Sequence, residues 1–366
     1  MSARKALGEA LQRCVSAGLT FAAFRVPGCA PELWAQRTPE LETLDGSLLW
    51  ELTGAFLVGP YHLDPERVPV IRSDVELSFG ELAPDIEELW SCTGTGRPGA
   101  GSRPPTTEAA FLATVGTAVQ RLRQGELEKV VLSRVLTAPF GEHRAVDLFL
   151  RGIDAHPQAM VALVATPVHG LWLGASPERL LAQEDDRVEV DALAGTMAAS
   201  AAPDDPAAWG AKERHEQDVV ARAVCAALDG PPEVELAITG PEVIRRGPVA
   251  HLRTRVATEL GGRALSDVLL ALHPTPAVCG WPRTTAAALI EELEDHERAL
   301  YAGFWGPWNP DGRTDLYVNL RCMRFAGDHA LLYAGAGLTA GSVPEREWDE
   351  TANKAGTWLR LAAEQE

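Results

Sequence analysis

Residues 301–308 and 317–325 are rich in aromatic and β-branched side chains, and Asn309-Pro310-Asp311-Gly312 lies between them. A turn of that composition sends an extended chain back alongside itself, so the segment predicts a β-hairpin. Glu184-Asp185-Asp186-Arg187 reads as another hairpin tip. Further strands are expected at residues 21–26, 129–136, 159–165, 171–175 and 331–333, with 159–165 apolar enough to be buried on both faces. Helices are expected at residues 211–228, 265–272, 284–299 and 344–364, and one more from a Thr106 or Thr107 cap to about Arg123. Strands and helices alternate irregularly, and no repeat of solenoid length is present. The pattern therefore predicts an α+β fold with large antiparallel sheets, not a doubly wound parallel one.

Organisation changes near residue 105. Residues 94–105 are rich in Gly, Pro, Ser and Thr and read as a loop or linker. At 366 residues, 46% hydrophobic and 23% charged, the chain has ample material for a core. Its net charge of −18 argues against a nucleic-acid partner, because phosphate neutralisation needs a basic face. No apolar run is long enough to cross a bilayer, and residues 1–20 mix Arg4, Lys5, Glu9 and Arg13 where a signal peptide would be apolar. Six scattered cysteines without a Cys-x-x-Cys pair predict a reduced cytoplasmic protein, neither a disulfide scaffold nor a zinc site.

Two acidic helix segments carry the strongest chemical signal. In Lys212-Glu213-Arg214-His215-Glu216 and in Glu347-Trp348-Asp349-Glu350, two glutamates stand three residues apart and so project from one helix face. Brought together, Glu213, Glu216, Glu347 and Glu350 would form a cage for a hard divalent cation such as Mg²⁺, which takes oxygen ligands and keeps positions open for an anionic substrate. The plain alternative is that each Glu-x-x-Glu decorates a solvated helix.

Other segments then fall in a recognisable order. They include Lys129-Val130-Val131-Leu132-Ser133-Arg134, Gly174-Ala175-Ser176-Pro177-Glu178, Leu193-Ala194-Gly195-Thr196 and His251-Leu252-Arg253-Thr254. Further on come His273-Pro274-Thr275-Pro276-Ala277, Tyr301-Ala302-Gly303, Arg321-Cys322 and Gly335-Ala336-Gly337. With the two acidic segments, these resemble the chorismate-utilising enzymes: the anthranilate, aminodeoxychorismate, salicylate and isochorismate synthases. The resemblance covers residues 105–362. It implies a sandwich-like core with helices packed outside, a variable amino-terminal part at 1–104 and a chorismate-binding catalytic region at 105–366. Lys212 to Glu216 and His273 to Ala277 look closest to isochorismate synthases of the siderophore or menaquinone type. Residues 341–347 look closer to anthranilate synthases.

Forming isochorismate requires water at C2 of chorismate, loss of the C4 hydroxyl and a shift of the double bonds. A base must activate the water and an acid must protonate the leaving hydroxyl. Lys129, opening an apolar strand, is the candidate base if desolvation lowers its pKa; the alternative is a strand-end lysine reaching solvent. Glu178 is the candidate acid, since a partly buried carboxyl can stay protonated near neutrality; the alternative is a turn residue. The resemblance implies Glu216 and Glu350 as direct Mg²⁺ ligands, with Glu213 and Glu347 binding directly or through water. Arg321 would hold the pyruvyl carboxylate through two parallel hydrogen bonds. Lys354 would reach the same region, and Gly335 would admit a backbone N–H to a carboxylate, although alone Gly335-Ala336-Gly337 reads as a tight strand–loop turn. Gly195, Thr196, His251 and Tyr301 would line the pocket, His251 being nearly as well explained as a structural histidine. Ala277 would leave room for the attacking water.

The resemblance further implies a monomer acting on chorismate, with a downstream isochorismate-using enzyme. Salicylate synthesis and ammonia-using anthranilate or aminodeoxyisochorismate synthesis are the neighbouring alternatives. A non-catalytic chorismate-binding homologue is the alternative of another class.

Overall fold

The computed structural model describes residues 2–96, 103–231, 234–246, 249–309 and 311–364. Residues 97–102 of the expected linker and Pro310 of the expected hairpin turn lie outside the described residues. The amino-terminal stretch supplies α1 (Ala3–Ser16), β1 (Phe21–Arg25), β2 (Glu32–Ala35), β3 (Glu42–Leu44), β4 (Ala55–Gly59), β5 (Val68–Arg72) and β6 (Val75–Ser78). Next come α2 (Glu108–Arg123), β7 (Lys129–Ala138), α3 (Ala145–Ala155), β8 (Met160–Thr166), β9 (Gly170–Ser176), β10 (Arg179–Glu184) and β11 (Arg187–Ala198). They are followed by α4 (Ala211–Leu228), β12 (Ala237–Arg246), β13 (Val249–Glu259), α5 (Leu265–Leu272), β14 (Gly280–Trp281) and α6 (Arg283–Leu293). The last are β15 (Phe304–Trp308), β16 (Arg313–Val318), β17 (Cys322–Ala326), β18 (His329–Leu338) and α7 (Pro344–Ala363).

The strands form two nine-stranded antiparallel sheets, as the hairpin signals predict. Sheet one runs β14-β7-β18-β17-β9-β8-β1-β2-β6, and sheet two runs β12-β13-β11-β10-β16-β15-β4-β5-β3. Strands from residues 21–78 thus extend both sheets instead of forming a layer of their own. Alternation within β1 shows the layering: Ala22 and Phe24 join Phe56 and Trp305 between the sheets, whereas Phe21 and Ala23 join Leu11, Phe149 and Trp358 of α1, α3 and α7. Phe21, Phe24 and Phe56 are all buried, each contributing roughly 1.5–3 kcal/mol.

Local boundaries follow local chemistry. Thr107 caps α2, its hydroxyl accepting from the Ala110 N–H at 3.3 Å. Pro344 opens α7 with Glu345 and Glu347 in its first turn, where the helix dipole favours negative charge. The helix expected at 284–299 stops at Leu293 because Glu294 turns inward. Its carboxylate accepts from the Ser133 N–H at 2.6 Å and pairs with Arg298, also at 2.6 Å. The strand expected from 301 starts only at Phe304, since Ala302 adopts φ 60° to donate to the Asn319 carbonyl.

The run at 317–325 is two strands, not one. Val318 pairs with Phe304 in sheet two, while Cys322 pairs with Gly174 in sheet one. Stacked sheets lie about 10 Å apart, so the chain must leave extended pairing to cross. It does so at Asn319-Leu320-Arg321, with Arg321 at φ 47°. A second crossing lies beside it, where Pro177-Glu178 carries β9 of sheet one into β10 of sheet two. Hydrogen bonds join the two crossings: Val318 N–H to the Glu178 carbonyl at 3.0 Å, and Ala175 N–H to the Arg321 carbonyl at 3.1 Å.

A candidate active site at the sheet crossings

The crossings place Glu178 and Arg321 in one pocket with Lys129 of β7, Thr196 of β11, His251 of β13, Ala277, Tyr301, Gly335 of β18, and Glu216, Glu350 and Lys354 of α4 and α7. Eleven of the fourteen residues singled out from the sequence therefore meet. Gly195, Glu213 and Glu347 stand outside this lining.

Lys129 is buried, and its Nζ lies 3.0 Å from Glu216 Oε1. Glu178 is also buried. Its carboxyl is pushed up to about 7, chiefly by desolvation; Lys129, Lys354 and Arg321 oppose that rise and Asp191 adds to it. Glu178 is thus a carboxyl of the kind that holds its proton close to neutrality. Arg321 donates to Thr357 Oγ1 at 3.4 Å, and burial lowers its pKa below the ordinary arginine value. Its backbone is fixed by Trp358 Nε1, which donates to the Arg321 carbonyl at 2.6 Å.

Each remaining polar residue has a defined partner. Lys354 Nζ reaches Glu350 Oε1 at 2.7 Å and the Gly335 carbonyl at 2.8 Å. Thr196 Oγ1 and His251 Nδ1 are 3.0 Å apart, so His251 is both hydrogen-bonded and part of the wall. Tyr301 stacks on Tyr333 with ring centroids 5.6 Å apart.

Gly335-Ala336-Gly337 is not a turn. It lies inside β18, paired with Ser133, Leu132 and Val131. A Cβ on Gly335 would come 2.5 Å from the Tyr301 hydroxyl, and one on Gly337 would come 2.6 Å from Glu216 Oε1. The glycines thus make room for site side chains. Gly195, at φ 65°, sits at a bulge in β11, where a Cβ would come 2.9 Å from the Glu213 carbonyl. It seats the first turn of α4.

The four glutamates come from the facing helices α4 and α7, bridged by Lys212 Nζ at 2.9 Å from Glu347 Oε1. Burial raises the Glu347 pKa against the pull of Lys212. Burial also acts to raise that of Glu350, but Lys354, Lys212 and Arg321 outweigh it and the net shift is downward. Among the described residues no three carboxylate, imidazole or thiolate groups are grouped to hold an ion in this arrangement. Lysines occupy the oxygens instead. The donor chemistry still suits a hard cation, which would compete with Lys129, Lys212 and Lys354 for Glu216, Glu347 and Glu350.

Sequence reasoning passed over Tyr333, Gly337 and Pro177. For Gly337 a signal existed: on a strand it shares a face with Gly335 and Tyr333.

Residues 99–361 match the family described as chorismate binding enzyme. The chain is 34% identical over 249 residues to the salicylate biosynthesis isochorismate synthase of Pseudomonas aeruginosa, covering 66% of this chain and 52% of that protein. It is likewise 34% identical over 255 residues to isochorismate synthase DhbC of Bacillus subtilis, covering 66% and 64%. The chain thus spans between about half and two thirds of the length of these relatives. Among solved structures, the menaquinone-specific isochorismate synthase MenF of Escherichia coli superposes with a TM-score of 0.78 at 24% identity, covering 96% of this chain and 91% of that one. Anthranilate synthase component I of Streptococcus pneumoniae gives 0.69 at 19%, covering 93% and 92%. At these identities the structural likeness is one of fold.

Proposed function

The chain belongs to the chorismate-binding enzymes, and from that membership we propose that it is an isochorismate synthase. The observation that carries the reading is a buried lysine and a buried carboxyl held up near 7, both facing one pocket that also contains an unpaired-carboxylate receptor, Arg321. Lys129 takes a proton from the water that adds at C2. Glu178 gives its proton to the C4 hydroxyl, which leaves as water while the double bonds shift. Returning a proton from Lys129 to Glu178 restores the starting state, so the reaction is a net isomerisation. Arg321 holds the pyruvyl carboxylate, and Ala277 leaves space on the side of attack.

Glu216 and Glu350, backed by Glu213 and Glu347, would hold Mg²⁺. When bound, the ion supplies Lewis-acid withdrawal of charge at the ring carboxylate. Among the described residues no helix is long and apolar enough to cross a membrane, and no disulfide links the cysteines. A monomer in a reducing cytoplasm, feeding a siderophore, salicylate or menaquinone route, completes the reading.

The test is incubation with chorismate and Mg²⁺, with and without ammonium, followed by chromatography. Isochorismate as product supports the proposal. Salicylate or an ammonium-dependent amine would replace it with a neighbouring activity, and binding without consumption would leave a non-catalytic homologue.

A further inference from the structure

Arg321 lines the pocket and also two recesses that flank it, and Arg360 lines both recesses without entering the pocket. Thr357, which accepts from Arg321, precedes Arg360 by three residues, so the two share a face of α7. The Arg360 guanidinium lies over Gly356, on the side of α7 where a Cβ would otherwise stand.

Among the described residues neither guanidinium has a carboxylate within ion-pair distance, although the chain carries a net charge of −18. One recess holds Arg321, Arg346, Lys354 and Arg360 against only Asp349 and Glu350. Lys354 is paired with Glu350, so three arginines face only Asp349 beyond that pair, and an anion entering among them relieves their repulsion. In an otherwise acidic protein, such a patch sets the route by which an anion approaches.

We propose that Arg360 is a positioning residue that draws the incoming dicarboxylate to the pocket mouth and hands its outer carboxylate to Arg321. It takes no part in the chemistry. This deepens the chorismate reading above and rests on it for the identity of the ligand.

The experiment compares the full chain with Arg360→Gln, Arg360→Glu and Arg360→Lys, measuring chorismate turnover at low and high salt together with calorimetric binding of chorismate. Steering predicts a kcat/KM about three- to tenfold lower for Arg360→Gln at low salt, carried by KM and the binding constant with kcat unchanged. The loss should be larger for Arg360→Glu, small for Arg360→Lys, and should shrink in high salt as the charges are screened. An unchanged kcat/KM at low salt, a fall in kcat, or a loss that salt leaves untouched overturns the proposal. If the parent chain binds chorismate without consuming it, the catalytic reading fails while the binding arm still decides Arg360. If it neither binds nor consumes chorismate, both fall.

Discussion

Lys129 Nζ and Glu216 Oε1 stand 3.0 Å apart, one at the start of a sheet strand and the other on α4. The contact joins the proposed base to a proposed cation ligand, so a metal that takes Glu216 also changes the setting of Lys129.

Lys129→Met should lower turnover by about 10²–10⁴-fold, the range for loss of a general acid or base, while chorismate still binds. Calorimetry alongside a turnover assay checks this. Loss of binding with no specific loss of chemistry would make Lys129 a structural residue.

Glu178 gives two linked pH effects. Activity that depends on its protonated form should fall as pH rises past about 7, and Glu178→Gln should be slow without that alkaline limb. The native carboxyl titrates at about 7 against an ordinary 4.5, so between those values the folded state binds the extra proton. Its contribution to stability is therefore full below 4.5 and is lost as pH climbs to 7, by an amount on the order of 3 kcal/mol. Urea melts of the parent and Glu178→Gln across that window measure the difference.

Ala277→Thr should slow isochorismate formation at least about tenfold, since the added methyl and hydroxyl at the attacking face remove room for water. An unchanged rate by product chromatography would remove Ala277 from the specificity argument.

Chelation should abolish turnover and Mg²⁺ should restore it. Glu350→Gln should raise the Mg²⁺ concentration needed for half-maximal rate. A rate indifferent to chelator would refute the proposed ion.

Gly335→Ala should be destabilised by about 1–3 kcal/mol, because its methyl group would press on the Tyr301 hydroxyl and the Leu132 carbonyl. Thermal melting reads this directly, and a melt equal to the parent's would show that Tyr301 yields without cost.

The sequence displayed the helices α4 and α7 almost residue for residue, because composition, 3.6-residue periodicity and a proline opening α7 are local properties. It also displayed the hairpin tip at Asp185-Asp186 and the family motifs, several of which meet in the pocket. It did not display where sheet one ends and sheet two begins. Residues 317–325 have one continuous strand-like composition, and only tertiary pairing shows that Val318 and Cys322 belong to different sheets. The inward turn at Glu294 was hidden for the same reason, since its partner Ser133 lies far away in the chain. Lysine partners for Glu216, Glu347 and Glu350 were likewise illegible, because spacing along a helix tells which residues share a face and not what stands opposite.

Glu178 and Arg321 ride on the two adjacent strands of chain that stitch the sheets together, whereas Lys129 belongs to one sheet alone. Any slip of one layer over the other would carry the acid and the guanidinium as a pair and change their distance to the amine. Trimming the aromatic packing between the layers, far from any ligand, is therefore a route to detuning catalysis while the chain remains folded.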